Sequence, residues 1–241
     1  MSQQLHLLLL AAGSGRRFAA GVKSLTVPKQ YVSIAGQTVL EHSLAAFKNI
    51  PLSSAVITHS ADDTAIKSLN LTAAFDISLT HGGSSRAESV RLGLHALKQA
   101  GADKSDWVLV HDAARCCVTG QEIQDLIQRC KTEQRGGLLV SPIHDTLKYS
   151  TDGMQVDKTI NRDQVFAALT PQMFPLAELL AALVSAEKQG FSVTDESSAM
   201  EAMGVKPLMV QGRASNMKLT RADQLPQVEA FLSNKMNVKG D

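Results

Sequence analysis

The stretch Leu5-His6-Leu7-Leu8-Leu9-Leu10-Ala11-Ala12-Gly13-Ser14-Gly15-Arg16-Arg17-Phe18, followed by Val27-Pro28-Lys29-Gln30-Tyr31, decides the fold. The apolar run Leu5 to Leu10 reads as a buried strand. A strand that ends in small residues and glycines lets a phosphate approach bare backbone N–H groups. Two fixed cations, Arg17 and Lys29, then follow. That combination suits a polyphosphate whose charge must be held while a P–O bond changes hands. The glycines alone would fit any strand-to-loop turn. The cations and the Pro-Lys pair carry the further meaning.

Two better-known phosphate loops do not fit. A dinucleotide fingerprint requires G-x-G-x-x-G, with an acidic residue about 20 residues further on for the ribose. Phe18 occupies the third glycine position, and the next strand, around Ser54 to Thr58, ends without an acid. This disfavours an NAD-dependent oxidoreductase. A Walker loop, G-x-x-x-x-G-K-[ST], is also absent. The loop points to nucleotide handling that is neither hydride transfer nor P-loop hydrolysis.

Outward from this loop, strands and helices alternate. Apolar runs at Leu5–Leu10, Ala55–Thr58, Trp107–Val110 and Leu138–Val140 read as buried strands. Helix-like stretches lie at Val39–Phe47, Ala61–Leu69, Ala87–Ala100 and Glu122–Lys131. In Ala87–Ala100, Val90, Leu94 and Leu97 share one face, and Gly101 marks the stop. The alternation predicts an α/β fold with a mostly parallel twisted sheet and helices on both faces. Ligands of such sheets sit at the carboxyl ends of the strands. That rule places the Ala11–Arg17 loop, the His111–Arg115 loop and the Ser141–Thr146 segment on one rim. From Pro142 to about Arg162 the alternation breaks. Thr146–Ser150 and Met154–Ile160 read as two strands around the turn Thr151-Asp152-Gly153. This hairpin has too few apolar residues to bury itself, so it projects or packs on something else, such as a second subunit. The polar segment Asn234 to Asp241 reads as a frayed end.

Composition bounds the function. The chain has 241 residues, 44% of them apolar, enough for a sizeable core. A formal net charge of +1 implies no bulk attraction to nucleic acid or membrane. With 4% aromatics, stacking platforms for single strands are disfavoured. The three cysteines, Cys116, Cys117 and Cys130, lack disulfide-framework or metal-type spacing and read as reduced structural thiols. No leader-like segment or membrane-length apolar run is seen. A cytoplasmic location is expected.

Three further segments carry chemistry. His81-Gly82-Gly83-Ser84-Ser85-Arg86 precedes a helix that Ser84 or Ser85 can cap, with Glu88 in its first turn. The paired glycines suggest a tight turn or close approach to a flat ligand such as a base. Val108-Leu109-Val110-His111-Asp112-Ala113-Ala114-Arg115 ends a strand in charges. Asp112 there suits ribose or hydrated Mg²⁺, and Arg115 suits phosphate. An internal Asp112–Arg115 ion pair is the plain structural reading. Thr194-Asp195-Glu196-Ser197-Ser198 opens a helix in which Thr194 or Asp195 serves as N-cap. Lys218, in Gly212-Arg213-Ala214-Ser215-Asn216-Met217-Lys218-Leu219-Thr220, follows a predicted strand Leu208–Val210.

Taken together, AAGSGRRF, PKQY, GGSSRAESV, VHDAAR, DTLK, LTPQ, TDESSA and GRASNMKLT resemble the 2-C-methyl-D-erythritol 4-phosphate cytidylyltransferase family. The resemblance runs from Leu10 to Thr220. It implies a Rossmann-like nucleotidyltransferase fold of the nucleotide-diphospho-sugar transferase type, as one domain over residues 1–241. It also implies cytidylyl transfer from CTP, a Mg²⁺ requirement, and a homodimer joined by a β-arm at about 142–164. Carried onto this sequence, Ala11, Ala12, Gly13 and Gly15 bracket CTP, and Gly83 and Ser89 lie against cytosine. Arg17 and Lys29 stabilise the transition state. Asp112, Arg115, Thr146, Thr170 and Thr194 surround the acceptor or the ribose. Asp112 is also the metal contact, with Mg²⁺ held mainly by CTP phosphates. Arg162 and Lys218 position the acceptor phosphate, and Arg162, at the end of the arm, is placed to serve the partner subunit. Cys116 stands where the family often has proline, and His144 where arginine is common. Two rival readings stay open: a cytidylyltransferase for ribitol 5-phosphate, and a non-catalytic nucleotide-sensing module. The joint presence of Arg17, Lys29, Arg162 and Lys218 weighs against the second.

Overall fold

The computed structural model describes residues 3–13, 15, 18, 27–69 and 71–237. Along the chain lie β1 (Leu5–Leu10), β2 (Ser33–Ile34), β3 (Gln37–Thr38), α1 (Val39–Ala45), β4 (Ser54–His59) and β5 (Asp76–His81). Then come α2 (Arg86–Gln99), β6 (Trp107–Asp112), α3 (Gly120–Glu133), β7 (Gly137–Pro142), β8 (Leu147–Tyr149) and β9 (Lys158–Ile160). The chain closes with β10 (Phe166–Pro175), α4 (Leu176–Lys188), α5 (Glu196–Ala202), β11 (Leu208–Gln211) and α6 (Leu225–Asn237).

The main sheet has the order β11-β7-β10-β6-β1-β4-β5. Strand β1 pairs in parallel with β4 and β6, as β4 does with β5 and β11 with β7. Only β10 runs the other way, against both β6 and β7. The absence of alternation in β1 now has its cause. Leu5, Leu7 and Leu9 enter one hydrophobic layer together with Leu40, Phe47, Leu109 and Leu126. Leu8 enters the opposite layer with Val90, Leu94, Val108 and Leu183. Burying each such leucine contributes about 1.5–3 kcal/mol. A third cluster packs Phe18, Val39, Cys116, Cys117 and Leu219 against α6 residues Val228 and Leu232.

At the amino end of the sheet, His6 sits between the Ser54 hydroxyl (2.9 Å) and the Asp106 carboxylate (3.1 Å). Asp106 also accepts the N–H groups of Gln4 and Asp103, both at 2.7 Å. This buried network fastens β1, β4 and the head of β6, and leaves their carboxyl ends to build the site.

Three sequence expectations need correction. Ala61–Leu69 is not an α-helix; only a 3₁₀ turn forms, at Ala65–Ser68. Asp63 Oδ1 accepts the N–H groups of Ala65 and Ile66, competing with helical pairing, and Ile66 alone buries its side chain in that turn. The arm hairpin is not closed at Thr151-Asp152-Gly153. Its strands pair Leu147 with Ile160 and Tyr149 with Lys158, so residues 150–157 form a longer loop. Asp152 Oδ1 accepts from Met154 N and Gln155 N, and Asp157 Oδ2 from Thr151 N, which takes up the donors a tight ladder would use. The last turn is not frayed from Asn234, because α6 continues to Asn237; residues 238–241 lie outside those described. Among the described residues no helix is long and apolar enough to cross a membrane.

Candidate active site

The carboxyl ends of β1, β4, β5 and β6 open onto a cavity of about 680 Å³. Ala11, Ala12, Gly13 and Gly15 form one wall, Gly83 and Ser89 another, and Lys29, Arg86, Asp112 and Lys218 supply its charged groups. The loop after β1 is tied down at several points. Ala11 N donates to Thr58 O at 2.9 Å, and Gln30 Nε2 donates to Ala11 O at 3.0 Å. Gly15 holds φ +65°, a left-handed geometry that favours glycine. The 3₁₀ turn Lys29–Tyr31 is pinned on its other side by Tyr31 Oη donating to Asp63 at 2.5 Å. Lys29 is half-buried, and its ammonium donates to Leu219 O at 3.0 Å. Arg17 lies outside the described residues.

Opposite this loop, Ser85 caps α2 by accepting from Glu88 N at 3.1 Å. Ser89 Oγ accepts from Gly83 N (3.0 Å) and donates to Ser85 O (2.9 Å), so its hydroxyl shapes the glycine turn. A Cβ on Gly82 would stand 2.4 Å from Ala12 Cβ and 2.9 Å from Ser89 Oγ. Glycine there lets the β1 loop and the α2 turn meet beside the cavity.

A second cavity of about 240 Å³ adjoins the first, lined by Arg115, Thr170, Thr194 and Gln172 among others. The two cavities share Arg86, Asp112 and Lys218. Asp112 Oδ2 receives Lys218 Nζ at 2.7 Å, and Oδ1 receives Arg86 Nε at 3.3 Å. Arg115 Nε stands 3.9 Å from Oδ2, so the pair expected across the turn is the longest of three. Burial pushes the Asp112 carboxyl up, but Arg86, Lys218 and Arg115 outweigh it and hold the group well below the usual carboxylate range. Arg115 also donates to Asn216 O (2.8 Å) and Ala168 O (3.2 Å).

Behind Asp112, His111 is fully buried; its Nδ1 meets Thr170 Oγ1 at 2.9 Å, and its ring stands edge-on to Phe47. Burial pushes the imidazole down to about 3, with Arg115 adding to the effect. His111 is therefore neutral near pH 7 and lines neither cavity. Thr170 Oγ1 also accepts from Asp112 N at 3.2 Å. Asp195, not Thr194, caps α5, accepting from Ser198 N at 2.9 Å.

The fold thus gathers Ala11, Ala12, Gly13, Gly15, Lys29, Gly83, Ser89 and Asp112 around the larger cavity, and Arg115, Thr170, Thr194 and Lys218 around the smaller. It does not bring in Thr146 or Arg162. Both are exposed on the arm segment and line neither cavity, and Arg162 Nη1 donates to His144 O. Sequence reasoning missed Arg86 and Glu196. Glu196 is 1% exposed and takes both Nη groups of Arg86, at 2.5 and 3.0 Å. Burial raises the Glu196 carboxyl against the opposing pull of Arg86, while its two carboxylate neighbours keep Arg86 firmly charged. The available signal was a charge in the first turn of each helix, which helix-end chemistry already explains.

No cluster of three or more His, Cys, Asp or Glu with metal-binding geometry occurs among the described residues. A single strand-end carboxylate, Asp112, fits Mg²⁺ brought in on a polyphosphate, not a cage built from protein alone.

Comparison with known proteins agrees in extent. The model of the family described as 2-C-methyl-D-erythritol 4-phosphate cytidylyltransferase matches residues 5–234. The chain is 41% identical over 230 residues to the protein of that description from Vibrio vulnificus strain YJ016, covering 95% of this chain and 94% of the relative. A solved 4-diphosphocytidyl-2C-methyl-D-erythritol synthase superposes with TM-score 0.81 at 35% identity, over 96% of this chain and all (100%) of that one. The 2-C-methyl-D-erythritol 4-phosphate cytidylyltransferase of Francisella tularensis gives TM-score 0.80 at 29% identity, over 95% and 100%.

Proposed function

The chain belongs to the 2-C-methyl-D-erythritol 4-phosphate cytidylyltransferase family, and from that premise we propose how its own residues carry out the transfer. It moves the cytidylyl group of CTP onto 2-C-methyl-D-erythritol 4-phosphate, releasing pyrophosphate, in non-mevalonate isoprenoid biosynthesis. The observation that carries the mechanism is the shared wall: Arg86, Asp112 and Lys218 border both cavities. CTP occupies the larger cavity, with its base beside Gly82, Gly83 and Ser89 and its phosphates along the β1 loop. The acceptor occupies the smaller one.

An acceptor phosphate oxygen attacks the α-phosphorus of CTP, and the bond from that phosphorus to the β-phosphate oxygen breaks, releasing pyrophosphate. The acceptor is a phosphate monoester with a second pKa of about 6, so it arrives largely dianionic. No proton has to leave the nucleophile. That agrees with His111, the neighbour of Asp112, being buried and neutral. The protein's part is to align two polyanions and offset charge on the crowded phosphorus. Lys29 and Arg17 stabilise that charge, and Lys218 and Arg115 hold the acceptor phosphate. Asp112 orients Lys218 and the ribose, and would be the carboxylate contact for Mg²⁺ held mainly by the CTP phosphates. When bound with CTP, Mg²⁺ draws charge from the phosphates and so makes pyrophosphate a better leaving group.

The chain acts as one nucleotidyltransferase domain from which the arm projects. The arm exposes Met154, Val156 and Tyr149. A homodimer that buries them against a second copy would carry Thr146 and Arg162 to that copy's acceptor pocket. The three buried cysteines, none of them in a disulfide, suit a cytoplasmic enzyme. Pyrophosphate release, measured with each of the four ribonucleoside triphosphates and with methylerythritol or ribitol phosphate as acceptor, tests the reading. Release with CTP and methylerythritol phosphate is expected; none from any pairing would overturn it.

A further inference from the structure

Arg86 stands on the first turn of α2 and Glu196 on the first turn of α5, 110 residues apart. Neither is needed for helix capping, which Ser85 and Asp195 already supply. The Glu196 carboxylate is buried to 1% exposure, and both of its oxygens bond the two Nη groups of Arg86. The third edge of the guanidinium, Nε, reaches Asp112 Oδ1 at 3.3 Å. Arg86 is thereby fixed in plane between two carboxylates, a task that suits a rigid fork and not a lysine ammonium. Asp112, held on one oxygen by Arg86, presents the other to Lys218 at 2.7 Å.

The charge balance separates two roles for Arg86. Its positive charge is matched by Glu196 at short range and by Asp112 beyond it. Lys218 and Arg115 also face Asp112, at 2.7 and 3.9 Å, but each is joined to one carboxylate where Arg86 is joined to two. An arginine meant to bind phosphate would not be closed on both sides by carboxylates. An arginine meant to hold a carboxylate in one orientation would be.

We propose that the Arg86–Glu196 pair is a positioning unit for the transfer: Glu196 aims Arg86, Arg86 sets the Asp112 carboxylate, and Asp112 sets Lys218 on the wall between nucleotide and acceptor. This rests on the two-cavity reading above. The pair also joins the α2 end of the nucleotide cavity to the α5 end of the acceptor pocket.

The test is steady-state kinetics of pyrophosphate release by Arg86→Lys and Glu196→Gln, with CTP and acceptor varied separately and thermal unfolding followed in parallel. Arg86→Lys keeps the charge but loses the fork; Glu196→Gln keeps the shape but loses the charge. In both, kcat falls tenfold or more, while the KM for each substrate stays within about threefold of the parent. In Glu196→Gln the uncovered Arg86 charge also tightens inhibition by pyrophosphate, which a purely structural role would not do. Unchanged kcat in either folded variant overturns the inference. So does a KM rise of tenfold or more with kcat kept, which would make Arg86 a binding residue. If one variant does not fold, the other decides by the same two numbers. Failure of the parent protein to release pyrophosphate would instead strike the two-cavity reading itself.

Discussion

Acidification from about pH 7.5 to about pH 5 should destabilise the substrate-free, metal-free protein through His111, and the size of the effect follows from its burial. In the folded chain the imidazole is pushed from 6.5 to about 3. The folded state thus binds fewer protons than the unfolded chain below the ordinary histidine pKa. The His111 contribution to stability is fully present above about pH 6.5 and is lost progressively as pH falls towards about 3. At about pH 5 the loss is about 2 kcal/mol, from roughly 1.4 kcal/mol per pH unit over about 1.5 units. In a chain of this size that lowers Tm by about 4–8 °C. The clean quantity is a difference of slopes. Urea unfolding of the parent and of His111→Gln, at several pH values, measures it. The glutamine variant is less stable at neutral pH, having lost the Phe47 ring contact, but its stability should fall less steeply with acid. Parallel slopes in the two proteins would refute the reasoning. They would show that His111 takes up its proton in the folded state as readily as in the unfolded chain.

Lys29→Ala should lower kcat/KM for CTP by about 10²–10³ while leaving the protein folded, because it removes a preorganised cation and no core contact; near-normal turnover would remove Lys29 from the chemistry. Gly82→Ala places a methyl against Ala12 and Ser89, 2.4 and 2.9 Å away. It should raise the KM for CTP at least tenfold with the far-UV circular dichroism unchanged, and an unchanged KM would mean that the base does not sit there. Arg162→Ala should weaken use of the acceptor far more than CTP binding measured by calorimetry. Mixed with Lys29→Ala it should regain activity in mixed dimers, and no recovery would speak for an Arg162 acting within its own chain. Leu9→Ala should cost about 2–5 kcal/mol in urea unfolding, as the residue is fully buried in the layer beneath α1 and α3.

The sheet was legible where strands are buried on both faces. Leu5–Leu10 and Trp107–Val110 have few polar groups because each side of them meets a hydrophobic layer. Strand β10 was not legible, since Thr170-Pro171-Gln172 interrupts its apolar run and the pairing with β7 shifts between Ala168 and Gln172. Its continuity comes from neighbours on both sides, not from its own pattern. Residues 61–69 have helical spacing, but Asp63 captures the backbone donors that a helix would use. For the site, the order of short motifs was enough to bring the β1 loop, the glycine turn and Asp112 to one rim, because strand ends of a parallel sheet converge there. The Arg86–Glu196 pair was out of reach. Each charge had a local explanation at its own helix end, and only tertiary packing brings the two together.

The central claim is that an acceptor phosphate oxygen attacks the α-phosphorus directly across the wall of Arg86, Asp112 and Lys218. Its most direct test is a single turnover with acceptor carrying ¹⁸O in its phosphate, followed by ³¹P NMR of both products. The account predicts all of the label in the diphosphocytidyl product, one labelled oxygen bridging the two phosphorus atoms, and none in pyrophosphate. Label in pyrophosphate, or a bridge oxygen drawn from CTP or solvent, would contradict it.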